Sequence, residues 1–79
     1  MTIDDYLEQV SKSIPAHPEW RYGQTLFNVL YDMDPELGNK VRATRLDPYY
    51  ANEDDVLSEF IEWVTLSLDG EAPDIDLQV

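Results

Sequence analysis

"WRYGQTLFNVLY", residues 20–31, holds four aromatic residues, one glycine and two side-chain amides four positions apart. Phe27, Leu30 and Tyr31, with Gly23 one turn earlier, share one side at helical spacing, and Leu26 and Trp20 widen that stripe. Thr25, Asn28 and Asp32 fall on a more polar side. The spacing predicts a helix from about Glu19 to Met33. Beside the stripe, Arg21, Gln24 and Asn28 make a polar ladder that is either a recognition face or a lock for another segment. Gly23 favours the lock, because a residue without a side chain lets a backbone or a large ring come close. Buried amides need partners, and a non-helical connector has free backbone groups to offer. The expectation is that Arg21 or Asn28 bonds to Asp47 or to the backbone near it.

Helical periodicity also organises the chain on both sides of this stretch. Ile3, Tyr6, Leu7, Val10 and Ile14 form one stripe, so residues 3–14 read as an amphipathic helix. Thr2 and Asp5 are spaced as a capping box, and Asp4 and Asp5 suit the positive end of the helix dipole. Pro15 and Pro18 are expected to end that helix in a turn. Asp34-Pro35-Glu36 reads as a new start: an N-cap, a proline at the first helical position and an acid in the first turn. A short helix over about 35–44 follows, weakened by about 1 kcal/mol at Gly38 relative to alanine. Residues 45–51 read as a connector. Asn52 is placed to cap a last helix over about 53–68, whose wide stripe of Val56, Leu57, Phe60, Ile61, Trp63, Val64 and Leu68 suggests a central position.

The expected fold is a small all-α bundle of three main helices plus a short one, with the connector packed on the second helix. Residues 1–68 form the domain, and residues 69–79 are expected to be a mobile acidic tail. Leu7, Val10, Phe27, Leu30, Leu37, Val41, Val56, Phe60, Trp63 and Val64 are the expected core.

Charge excludes more than it identifies. Seventeen acids face five bases, for a net charge of −12. Every base lies at or before Arg45, so the second half of the chain is a field of one sign. Such a field repels nucleic acid and anionic membranes and attracts basic protein surfaces. There is no cysteine for a disulfide or a thiolate metal site. The acidic N-terminus is unlike a signal peptide and no apolar run is long enough to span a bilayer, so a cytoplasmic protein is expected.

Catalytic material is sparse. The single histidine, His17, sits in a turn and is expected to be solvated, which leaves no triad or histidine-based zinc site. Paired-acid hydrolysis needs a cleft and one carboxyl of raised pKa, which a bundle this small seldom builds. Asp32-Met33-Asp34-Pro35-Glu36 alternates acids like the start of a calcium loop, but Leu37 stands where that motif needs glycine. Asp74-Ile75-Asp76 lacks the later glutamate. No enzyme activity, cofactor or metal is expected.

One acidic pattern remains. Asp55, Glu59 and Glu62 fall at i, i+4 and i+7 on the last helix, with Glu53 and Asp54 at its N-terminal end and Asp69, Glu71, Asp74 and Asp76 beyond it. Acids four apart on a helix lie roughly 6 Å apart, close to the spacing of phosphates along a nucleic-acid strand. A solvated face is the ordinary meaning of such a stripe. The absence of any base along it, where helices usually mix signs, favours a role in binding basic surfaces. Glu53, Asp54, Asp55, Glu59 and Glu62 are therefore the candidate partner-binding residues.

The pattern "RYGQTLFNVLY…DPELGNKVRATRLDPYY…LSEFIEWV" resembles a group of small accessory proteins carried by tailed bacteriophages and some bacteria. The matching positions are Arg21, Gly23, Gln24, Asn28, Pro35, Leu37, Thr44, Asp47, Pro48, Tyr49, Tyr50, Phe60 and Trp63, within about residues 3–65. The resemblance transfers no chemistry. It implies a phage-encoded accessory protein in the cytoplasm of its host, one that binds and inhibits a basic surface of a host protein, such as one that holds nucleic acid. The alternative is a structural or assembly module, or a homodimer, pairing through Tyr22, Tyr49 and Tyr50.

Overall fold

A computed structural model describes residues 2–49, 54–68 and 70. It is an all-α bundle of four helices: α1 (Ile3–Ala16), α2 (Tyr22–Met33), α3 (Pro35–Val41) and α4 (Asp54–Leu68), with no strand among the described residues. None of these helices is long and apolar enough to cross a membrane. The expected tail, apart from Gly70, lies outside the described residues, as do Tyr50 and the Asn52 cap.

Local chemistry sets where the helices begin. At α1 the Asp5 amide donates to Thr2 Oγ1 at 3.1 Å and the Thr2 amide donates to Asp5 Oδ2 at 3.4 Å, a complete capping box. At α3 the Leu37 amide donates to Asp34 Oδ1 at 3.2 Å, and Pro35 occupies the first turn. Helix α2 starts later than expected, at Tyr22. Pro18 to Trp20 form a turn in which the Trp20 amide donates to the His17 carbonyl.

Two ends differ from the sequence expectation. Pro15 lies inside α1 rather than ending it, and the helix closes at His17, whose amide donates to Ser13 O at 2.9 Å. Helix α3 stops at Val41, because side chains there bind the backbone in place of further helix. Asp47 Oδ2 accepts the Ala43 amide at 2.7 Å, Thr44 Oγ1 donates to the Val41 carbonyl at 2.7 Å, and Ala43 takes a left-handed φ of 61°.

Helix α2, not α4, is the central element. It packs against α1 and α3, and Gly23, Thr25, Leu26, Phe27, Val29 and Leu30 are buried along it. Thr25 lies on the more polar side by helical spacing. Its hydroxyl instead donates to the Arg21 carbonyl at 3.1 Å, and with that group satisfied the side chain is buried like an apolar one. Helix α4 buries Phe60, Trp63 and Val64, with Leu57, Ile61 and Leu68 partly buried against the core.

The core also departs from the expected list at the start of α1. Leu7 is exposed, and its neighbour Tyr6 is wholly buried with its hydroxyl donating to the Leu26 carbonyl at 2.7 Å. An aromatic ring with a satisfied hydroxyl can fill a core position that a leucine one residue later points away from. Leu37 and Val56 are half-buried, while Leu26, Val29 and Leu46 join the fully packed set. At Gly38 a missing side chain is needed between helices. A β-carbon there would lie 2.8 Å from Tyr31 Cδ2 and 3.0 Å from Tyr31 Cα, so α3 approaches α2 closely only because residue 38 has none.

Candidate partner-binding surface

The ladder on α2 holds the connector. Arg21 Nη2 donates to the Tyr49 carbonyl at 3.1 Å, and Gln24 Nε2 donates to the Tyr49 hydroxyl at 3.2 Å. The Tyr49 ring meets Phe27 edge-on at 5.7 Å between centroids. Asp47 orders the same segment from within, its Oδ1 accepting the Tyr49 amide at 3.0 Å while Oδ2 holds the Ala43 amide. The expected lock is therefore present through Arg21, and Gln24 adds a second bond to the same residue. No such bond from Asn28 is found among the described residues. Leu46 and Pro48 are buried by this docking.

The docked connector changes the acidic face of α4. Asp54, Asp55, Glu59 and Glu62 are all exposed, and Glu53 lies outside the described residues. Glu59 is not a lone charge: Arg45 Nη1 stands 2.7 Å from Glu59 Oε2, each side chain about half exposed. The absence of a balancing base along this stripe, read from the helix alone, is thus corrected. The base comes from the connector, fourteen residues away in sequence. Asp54, Asp55 and Glu62 keep the stripe's negative charge beside this pair.

Between the start of α2 and the outer side of α4 runs an open groove of about 640 Å³, lined by Tyr22, Asp54, Leu57, Ser58, Ile61 and Glu62. Tyr22 is 50 % exposed and forms one wall. Two of the candidate acids thus flank an apolar floor, which the helical spacing of acids alone did not disclose. The signal was present in Leu57 and Ile61, four apart between Asp54 and Glu62, but that spacing reads equally well as core.

No protein-family model, curated protein or solved structure matches the chain.

His17 keeps part of its side chain in solvent, with its ring stacked on Trp20, centroids 3.7 Å apart and planes within 9°. Its Nδ1 lies 3.8 Å from Glu19 Oε1. Asp34, within the alternating acids that resemble a calcium loop, accepts the Leu37 amide as a helix cap and is thereby tied to α3. Among the described residues, no group of three or more His, Asp or Glu side chains gathers as a metal ion would require. Of the aromatics considered for self-pairing, Tyr49 is held in the connector lock, Tyr22 is exposed and Tyr50 lies outside the described residues.

Proposed function

We propose that this protein is a non-catalytic interaction module that binds a basic surface of another protein and blocks it. The observation that carries this reading is the exposed acidic side of α4, where Asp54, Asp55, Glu59 and Glu62 face solvent and Arg45 is the base that meets them among the described residues. With a net charge of −12, the chain attracts cationic partners from a distance and repels nucleic acid itself. The resemblance to phage accessory proteins points to a host protein in the cytoplasm as the target, one whose basic surface otherwise holds nucleic acid. Because Glu59 is paired, Asp54, Asp55 and Glu62 carry the contact and Glu59 contributes less.

The test is capture of partners from host extract at low salt, repeated with an Asp55→Lys/Glu62→Lys double variant. Capture by the native chain should fall steeply as salt is raised and be lost in the variant. A partner retained equally by both proteins overturns the reading.

Exposed Tyr22 and Tyr31 favour a second reading, a self-associating assembly module. Sedimentation separates the two, since pairing through aromatic surface survives high salt and charge-driven binding does not.

A further inference from the structure

Leu57 and Ile61 face the groove together with Asp54, Ser58 and Glu62, so one side of α4 alternates apolar and polar groups over slightly more than two turns. Tyr22 closes the opposite wall from the start of α2. The groove is open to solvent rather than enclosed, which suits a chain segment better than a small molecule held in a cavity. Its acids stand near the two ends. Asp54 and Glu62 are eight residues apart on one helix, about 12 Å along the axis.

From this geometry we propose that the groove docks a basic amphipathic segment of the partner protein, with apolar side chains seated on Leu57, Ile61 and Tyr22 and a Lys or Arg at each end facing Asp54 and Glu62. This deepens the reading of an acidic interaction module and rests on it. The spacing of the acids sets the spacing of the cations: seven or eight residues in a helical segment, at about 1.5 Å per residue, or about four in an extended one, at about 3.3 Å per residue. Charge decides among occupants. A second copy of this chain brings a net charge of −12 to a surface already acidic, and a nucleic acid is repelled for the same reason. A cationic segment with two or three apolar residues between its charges satisfies both the floor and the rim. The apolar contact supplies specificity that the charges alone lack, since rim charges act mainly on encounter rate.

The test uses the full chain, labelled for NMR, and three synthetic helical peptides of fourteen residues. The first carries two central leucines with lysines seven residues apart, the second has glutamine in place of both leucines, and the third has glutamate in place of both lysines. The first should bind and shift the amides of Tyr22, Leu57, Ser58 and Ile61. The second should bind at least about tenfold more weakly and the third should not bind. Tyr22→Ala and Ser58→Arg, both at exposed positions, should each weaken the first peptide by about tenfold or more while circular dichroism shows the helices intact. Equal binding of the first two peptides, with shifts centred on Asp55 and unaffected by Tyr22→Ala, overturns the groove and leaves the acidic-surface reading standing. Failure of every peptide at low salt overturns both. Shifts at Tyr22, Leu57 and Ile61 that grow with protein concentration in the absence of peptide give the groove to a second copy and overturn the proposal.

Discussion

The Tyr6 hydroxyl donates to the Leu26 carbonyl at 2.7 Å, joining α1 to α2 between two residues that are both wholly buried. Tyr6→Phe keeps the ring and removes this bond, and should cost about 1–2 kcal/mol of stability at neutral pH. Burial, and secondarily the nearby Tyr22 phenol, push the Tyr6 phenol well above its ordinary value. A raised folded-state pKa contributes stability that is complete below the unfolded value, about 10 for tyrosine, and is lost as pH rises beyond it. Denaturant unfolding at pH 7 and pH 11 checks the sign: the native chain should lose more stability across that interval than Tyr6→Phe does.

Arg21 and Gln24 meet the connector at two points of one residue, the carbonyl and the hydroxyl of Tyr49. Arg21→Ala combined with Gln24→Ala should free the connector before the bundle opens. Exchange at the amides of Leu46 and Tyr49 should quicken markedly while amides of α2 remain protected, because local opening is set by local contacts. The expected loss of global stability is about 1–2 kcal/mol for the two bonds together. Equal acceleration throughout α2 would show that the lock and the core open as one unit.

Gly38→Ala sets two effects against each other. Alanine favours a helix by about 1 kcal/mol over glycine. The new β-carbon would meet Tyr31 at 2.8 Å from its ring and 3.0 Å from its Cα. The ring can turn aside but the α2 backbone cannot, so overpacking of about 1–3 kcal/mol wins and the variant is destabilised. Thermal unfolding of Gly38→Ala alone and with Tyr31→Ala tests this. Removing the ring should restore only part of the loss, because the backbone contact remains.

Arg45 and Glu59 form a close pair, yet both side chains are about half exposed. A double-mutant cycle with Arg45→Ala and Glu59→Ala should give a coupling below about 1 kcal/mol, shrinking as salt is added. Its larger effect should be on charge: Arg45→Ala adds one unpaired acid to the α4 face. In the capture experiment that variant should hold a basic partner more strongly than the native chain does.

Residues that act on near neighbours were legible in the sequence. The Thr2–Asp5 box, the Asp34-Pro35 start and the acidic run of α4 depend on groups three or four positions apart, and each stands where periodicity and capping chemistry place it. The lock on the connector was legible as well, since polar side chains beside an apolar stripe need a partner with free backbone groups. Its atoms were not. Of the two residues expected to bond there, Arg21 does, while Gln24 joins it in place of Asn28, because which polar side chain reaches Tyr49 depends on how α2 is rotated against the connector.

Tertiary packing alone decided the rest. Whether Tyr6 or Leu7 enters the core turns on a carbonyl twenty residues away, and whether Gly38 weakens a helix or permits a helix contact turns on Tyr31. The acidic stripe is a property of the sequence, but its partial neutralisation by Arg45 and its junction with the Tyr22 groove arise only when the connector and the start of α2 come to lie beside α4. Helical periodicity fixes which residues share a face. Which face meets solvent, a counter-charge or another helix is fixed by contacts between segments distant in the chain, and no spacing along one helix encodes them.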